Sequence, residues 1–448
     1  MMKRPMAMFE RAMYLEGSLH VNVTVTARLW GRISEQRLRQ ALDRVQAKHG
    51  ILRCLLVREN GRPYFVEQAT PPPIPLRIVE RKSDEDWFDE STSDSLQRFD
   101  GSLYPLARLV WLRSELENEL LLVCSHAVCD GKSLMLLLQE LLLLCDQPDA
   151  SIGTPTTLNG VEEVFPAKVL ADRKLRRYIR WRVALLKFMM RFSRSSKKRW
   201  TYGAIYRNLW RLDEQASQMF VTRCKAEGAS VFAALSVAIL QAFHKVCGPK
   251  YMEKFEAPVD FRRYLPNLRE DSLFAVAPTI QLSLDKLPGV DPEGTGFWAL
   301  ARAMKTDITK KIDGLETSIY PLFLGMEQLH DVYDRMFAQA QSQRAGRQVS
   351  LSYVGRLDMT QSFSDFRVQE ICDITAMMSP TPANLVVIYS YGGRFYFSIS
   401  SDESSLSRAQ AEQIQQQVME TLLQCAAPVE KPFAIANSIP SATHAEVS

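Results

Sequence analysis

The sequence predicts an α/β (α+β) fold of two lobes, each a mixed sheet flanked by helices. Three observations carry that expectation. Strand-like and helix-like segments alternate in two successive blocks of similar size, separated by a Pro/Gly-bearing connector and a strongly basic stretch. At 448 residues the chain is too long for one ordinary core. Hydrophobic residues make up 46% and charged residues 24%, the balance of a globular protein.

Residues 20–30, HVNVTVTARLW, alternate as a half-buried strand does. Ser34 then opens a helix whose Leu38, Ala41, Leu42 and Val45 share one face before Gly50. ILRCLLVREN and GRPYFVEQ read as a hairpin turned on Asn60-Gly61. LARLVWLRSELENELLLVCS gives a second hairpin with ELEN at its turn, and SLMLLLQELLLLC follows as an apolar helix. The connector runs over 146–170. The second block has a strand AIYRNLWRL, helices over 213–227 and 229–246, a strand KFEAPVDFRR and the segment FAVAPTIQLSL. A helix near 294–312, a strand QVSLSYVGRL, a hairpin at 385–401 turned on Gly392-Gly393 and a helix over 406–425 complete it. The expected division is a first lobe at 1–160, a basic crossover at 161–202, a second lobe at 203–428 and a disordered tail at 429–448.

The eight cysteines are scattered singly, with no CxxC pair and no Cys/His cluster, which favours buried reduced thiols and no metal site. The N-terminus carries charge where a signal peptide is apolar, and 228–244 is too short and mixed to span a bilayer, so a cytoplasmic protein is expected. Net charge is +4, yet residues 172–199 hold twelve Lys/Arg against the single acid Asp172. One segment is basic on an otherwise acidic body, which is not the pattern of a nucleic-acid binder.

The chemistry concentrates in LLLVCSHAVCDGKSLMLLLQEL, residues 120–141. His126 falls at a strand end, where α/β proteins place ligands. Asp130 follows at the start of a helix, and Gly131 permits a turn and a close approach. A neutral imidazole there could take a proton from a hydroxyl or amine attacking a carbonyl. The residues alone also allow a structural histidine, and Asp130 as partner of the imidazole, as an N-cap, or as an anchor held by an arginine. No G-x-S-x-G follows a strand, so a serine hydrolase has no support.

HAVCDG resembles the HxxxDG signature of the chloramphenicol acetyltransferase-like superfamily, which includes condensation domains, plant alcohol acyltransferases, wax-ester synthases and mycobacterial polyketide-associated acyltransferases. GRISEQRLRQALDRVQAKHGILR, YPLARLVWL, ASVFAALSVAILQAF, PVDFR (258–262) and LSYVGRLD (351–358) are similar to further motifs of that group, in the same order. The resemblance covers about residues 10–425. It implies two chloramphenicol-acetyltransferase-like lobes with the active site in a tunnel between them. An acyl thioester enters one end, on coenzyme A or a carrier protein's phosphopantetheine, and a hydroxyl or amine acceptor, small molecule or lipid, enters the other. No cofactor is bound permanently.

The resemblance further implies His126 as general base and Asp130 paired with Arg262, a carboxylate–guanidinium contact able to be bidentate. The oxyanion donor would be Ser352 or the amide of Gly131. Ser125 stands where many relatives have a first histidine. SDFRVQE (364–370) lies where the plant branch has D-F-G-W-G, without its glycines, which argues against that branch. A free-standing monomeric acyltransferase of lipid or secondary-metabolite biosynthesis is expected. For the basic segment three readings stay open: a solvated helix with an apolar underside, a membrane-surface helix that would place the protein at the inner membrane face, and a dock for an acidic carrier protein or coenzyme A phosphates. The rival to an enzyme is a non-catalytic two-lobe scaffold held on membranes by 172–199.

Overall fold

A computed structural model of the chain describes residues 2–15, 21–157, 160–192, 203–248, 255–260, 262–275, 278–287, 289–291, 294–342, 348–377 and 383–427. The first half runs β1 (Lys3–Pro5), α1 (Met8–Tyr14), β2 (Asn22–Gly31), α2 (Glu35–Lys48), β3 (Cys54–Glu59), β4 (Arg62–Glu67), β5 (Leu76–Glu80), α3 (Asp86–Ser95), β6 (Ala107–Arg113), β7 (Glu117–Ser125) and α4 (Gly131–Asp146). The connector forms two short helices, α5 (Val161–Val164) and α6 (Ala167–Ala171), and the basic segment forms α7 (Arg173–Phe192). The second half runs β8 (Ile205–Leu212), α8 (Glu214–Ala226), α9 (Val231–Cys247), β9 (Phe255–Pro258), β10 (Thr279–Leu282), α10 (Phe297–Met326) and α11 (Tyr333–Ser342). It ends with β11 (Gln348–Arg356), β12 (Phe366–Met377), β13 (Ala383–Tyr391), β14 (Arg394–Asp402) and α12 (Arg408–Ala426).

The architecture is the two-lobed α/β arrangement that the alternating pattern predicts. A five-stranded sheet in the order β12-β2-β7-β6-β5 carries α2 and α4, and a three-stranded sheet β1-β4-β3 sits beside it. A six-stranded sheet in the order β10-β9-β11-β13-β14-β8 carries α8, α9, α10 and α12. Both sheets are mixed: β5 runs parallel to β6, and β11 runs parallel to β13 and β9, among otherwise antiparallel pairs. Both expected two-residue hairpin turns have two left-handed residues, Asn60 (φ 49°) with Gly61 (φ 76°) and Gly392 (φ 56°) with Gly393 (φ 80°). That is the turn whose twist suits antiparallel strands.

Three differences from the sequence reading bear on the lobes and the site. The helix expected over 294–312 extends to Met326, past Gly314 and Pro321, because Ile319 and Phe323 bury against Phe9, Val164 and Phe165. Arg262 does not continue a strand: β9 stops at Pro258, and Arg262 opens a single 3₁₀ turn, Arg262–Tyr264. Third, β12 belongs to the first lobe although it lies deep in the second half. It pairs antiparallel along β2 from Phe366↔Gly31 to Met377↔Asn22. The second lobe is therefore not all of 203–428; one strand of that range completes the first lobe's sheet. The tail at 429–448 and residues 193–200 of the basic segment lie outside the described residues.

The lobes also share side chains. Val387, Tyr389, Tyr391 and Tyr396, on strands of the second sheet, pack into the first lobe's core. Arg207 of β8 reaches the carboxylate of Asp373 on β12, and donates to Phe88 O (3.0 Å) and Thr92 Oγ1 (2.7 Å) of α3. Arg207 and Asp373 are both fully buried, so this pair is a fixed stitch between lobes rather than a surface contact.

Candidate active site

The apolar strand β7 delivers His126 one residue past its end, at the start of a tight turn. The His126 amide donates to Val21 O (2.8 Å), and Val128 N donates to Ser125 O (3.1 Å), which fixes the turn against β2. The ring is partly exposed, and its Nδ1 lies 2.9 Å from the Cys129 carbonyl. A carbonyl only accepts, so Nδ1 carries the proton and Nε2 keeps its lone pair. No hydrogen bond engages Nε2 among the described residues. Burial pushes the imidazole below its ordinary pKa of 6.5, outweighing the field of Asp130 and the Cys129 contact. The group is thus neutral near pH 7 and presents a base.

Asp130 is the N-cap of α4, with Oδ1 accepting from Ser133 N at 2.9 Å. The same oxygen accepts from Arg262 Nη2 at 2.8 Å. Arg262 and Asp130 therefore meet, as the motif resemblance implies, but through one nitrogen and one oxygen instead of a bidentate fork. The guanidinium is shared: Nη2 also donates to Ser133 Oγ (3.0 Å), and Nη1 to Asp260 Oδ1 (3.2 Å). Burial would lower Arg262, but the carboxylates of Asp130 and Asp260 hold it above its ordinary pKa. Asp130 plays the anchoring part among the roles its position allows: its carboxylate turns to the cap and to Arg262, and the imidazole proton goes to Cys129 O.

Residues that sequence reasoning missed complete the anchor. The Phe274 carbonyl accepts from Asp130 N (3.1 Å) and Ser133 Oγ (3.0 Å), and Phe274 N donates back to Ser133 Oγ (3.0 Å). Ser133 follows the motif by only two residues, so the capping rule could have pointed to it; Phe274 carries no signal, because only its backbone is used. A second buried cluster holds the far end of α4. Glu140 receives the Lys48 ammonium and lies 2.7 Å from His49 Nε2, while Lys48 also pairs with Asp271 at 3.1 Å. Lys48 and His49 stand in the AKHGILR motif, so its role here is to fasten α2 to α4 and to the loop bearing Asp271.

Gly131 behaves differently from expectation. It is the first residue of α4 and has no left-handed φ. A Cβ there would meet only Val354 Cγ2, at 4.0 Å. Neither the backbone nor the packing demands glycine. Gly131→Ala is expected to leave thermal stability unchanged or to raise it by about 0.5 kcal/mol, measured by melting. Any fall in turnover in that variant reports on room needed by a bound substrate. As the first amide of the helix, Gly131 N has no intrahelical acceptor and lies at the positive end of the dipole.

Val354 lies on β11, which brings the second lobe against this loop. Val349, Leu351 and Tyr353 face the second-lobe core, so Ser352 lies on the opposite face, as does Val354, which packs on the first-lobe core. Ser352 is partly exposed, and its hydroxyl has no hydrogen bond among the described residues. The structure thus places Ser352 on the strand that faces the His126 loop.

All eight cysteines are free thiols, and burial raises Cys129 well above its ordinary pKa and Cys145 to about 12. Cys129 and Cys145 are packing residues, not thiolates. Among the described residues, no group of three His, Cys, Asp or Glu could hold a metal ion. A cavity of about 280 Å³ between the sheets is lined by Arg28, Trp87, Trp210, Glu370, Tyr389 and Tyr396. Arg28 pairs with Glu119 on β7, so this cavity lies roughly 20 Å along the strand from His126.

Residues 5–156 match the model of the Condensation domain family. A curated relative, surfactin synthase subunit 2 of Bacillus subtilis (strain 168), is 29% identical over 148 residues; the match covers 31% of this chain and 4% of that much longer protein. The fold continues past the matched third. TRI3 trichothecene 15-O-acetyltransferase from Fusarium sporotrichioides superposes with a TM-score of 0.69 at 13% identity, over 94% of this chain and 95% of that one. Polyketide synthase associated protein 5 from Mycobacterium tuberculosis superposes with a TM-score of 0.62 at 17% identity, over 94% and 98%. Over 94% of its length, therefore, the chain shares the two-lobed fold of these solved structures.

Proposed function

From a chain whose residues 5–156 match the Condensation domain family and whose two lobes share the fold of both solved structures, we propose an acyltransferase that moves an acyl group from a thioester to a hydroxyl or amine. The observation that carries this reading is the tautomer of His126: the Cys129 carbonyl takes the Nδ1 proton, leaving Nε2 as an unengaged base where β11 of the second lobe meets α4. Acceptor and thioester meet at this seam. Nε2 takes the acceptor's proton as its oxygen or nitrogen attacks the thioester carbonyl. The oxyanion is met by the Ser352 hydroxyl or the Gly131 amide. Collapse breaks the C–S bond, and the leaving thiolate takes the proton back from Nε2. Asp130 and Arg262 do not touch the reacting atoms; they hold the loop that does.

The donor is acyl-coenzyme A or an acyl group on a carrier protein's phosphopantetheine, in lipid or secondary-metabolite biosynthesis. The match of its first lobe to the Condensation domain family and to surfactin synthase subunit 2 supports a carrier-borne donor. Incubating the purified protein with both donor types and mixed alcohols and amines, then following free thiol and product mass, tests the reading. Thiol release that depends on an acceptor supports it, and acceptor-independent or absent release with every donor overturns it. The pH dependence has a definite sign. Protonated His126 cannot accept a proton, so kcat/KM should fall on the acid side with a midpoint below 6.5, following the lowered imidazole. A midpoint above 6.5 would point to a different base.

A further inference from the structure

Helix α7 has two apolar faces where a surface helix ordinarily has one. Along the inner face, Ile179 and Val183 bury against Met8, Leu329 and Tyr333, with Leu175 and Leu186 packed beside them. The contact with α10 is close at Gly325, where a Cβ would lie 3.7 Å from Ile179 and 3.8 Å from Val183. The outer face carries Tyr178, Trp181, Leu185, Phe188 and Phe192, at successive spacings of three and four. Their exposures are 47%, 63%, 43%, 56% and 71%, so this second stripe is bare along its length. The Phe188 and Phe192 rings pack edge-on at 4.9 Å, making a continuous ridge. A contiguous run of large exposed side chains marks an interaction surface.

Charge identifies what the ridge fits. The helix holds eight Lys or Arg and no acid. Only Lys187 has a carboxylate partner among the described residues, Asp331 at 2.8 Å. Elsewhere in the molecule arginines such as Arg28, Arg81, Arg108 and Arg262 are tied to carboxylates. At 100° per residue, Arg173, Arg176, Arg177, Arg180, Lys187 and Arg191 form one flank of the ridge, and Arg182, stacked on Tyr178, borders the other. Uncompensated cations beside a row of rings, with Tyr and Trp among them, make an interfacial helix that lies in the headgroup plane. The ridge stands out from a single helix with its side chains 43–71% exposed, which suits a fluid surface better than a protein's acidic helix. No single helix of the described residues is long and apolar enough to cross a membrane.

We propose that α7 docks the protein onto the surface of an anionic phospholipid bilayer, with the aromatic ridge embedded among acyl chains and the basic flank on phosphate headgroups. This does not rest on the acyl-transfer reading. The test is sedimentation of the full chain with vesicles of phosphatidylcholine alone or with about one-third phosphatidylglycerol. Most protein should sediment with the anionic vesicles and little with the neutral ones, and about 0.5 M salt should weaken binding at least tenfold. A triple variant, Trp181→Gln/Phe188→Gln/Phe192→Gln, should bind at least tenfold more weakly with an unchanged melting temperature, because these side chains support nothing in the core. Arg176→Gln/Arg177→Gln/Arg180→Gln should also bind more weakly and lose most of the salt dependence. Failure of the parent chain to sediment with anionic vesicles overturns the proposal, as does equal binding by the ridge variant. So does a concentration-dependent dimer that the ridge variant dissolves, which would show a second copy covering the ridge.

Discussion

His126→Ala is expected to lower turnover by about 10²–10⁴-fold, the usual contribution of a general base, while the protein remains folded. The structural cost is small and can be bounded. The substitution removes one hydrogen bond, Nδ1–H to Cys129 O, from a partly exposed ring. Such a bond contributes about 1 kcal/mol, a few degrees of melting temperature at most. His126→Asn is the sharper variant, because its side-chain amide can still donate to the Cys129 carbonyl yet cannot act as a base. Loss of rate in both variants with near-parental melting assigns the imidazole to proton transfer. Full activity in His126→Asn would show that the ring only holds its loop and that another group takes the acceptor's proton.

Arg262→Ala is expected to lose both stability and rate. The Asp130 and Arg262 side chains are only 12% and 9% exposed, so removing the guanidinium strands a carboxylate in a poorly hydrated place. Breaking such a pair costs about 3–5 kcal/mol; the low end fits here, since Asp130 keeps the Ser133 amide. Ser133 Oγ and Asp260 also lose a donor, and with them goes a contact through which the second lobe grips the His126 loop. Turnover should therefore fall, by less than in His126→Ala. Asp130→Asn separates the two losses: it can still cap the helix but offers Arg262 no charge. Thermal melts of both variants and of the double variant measure the coupling. A coupling near zero would mean that the pair is incidental.

Much of the site was legible because it is local. HAVCDG puts the candidate base, its anchor and the helix start within six residues, and a strand before and a helix after are plain from hydrophobicity alone. Arg262 was reached only through motif resemblance, since nothing in residues 258–262 says which carboxylate the arginine meets. The bonds of Phe274 were illegible for a simpler reason: a backbone carbonyl and amide serve any residue type. The strand at 366–377 escaped because its alternation is broken twice. Bulges between Val368 and Glu370 and between Ile371 and Asp373 reset which side faces the core. A period of two cannot be read across them. The outer face of α7 was hidden by composition: its basic residues were plain, but only the packing of Ile179 and Val183 shows that the rings opposite lie on the exposed side of the helix.

The placement of β12 bears on how this molecule comes into being. The outer partner of β2 is a strand made about 340 residues later, and at typical elongation rates the ribosome needs roughly 20–70 s to supply it. Throughout that interval the nascent first lobe presents the bare edge of Asn22–Gly31, a template for pairing with any passing extended chain. Its polar and charged residues, Thr24, Thr26 and Arg28 among them, soften that hazard without removing it. Residues 5–156 expressed alone would keep this edge open permanently, so the third of the chain that is easiest to recognise is also a piece that should aggregate when cut free.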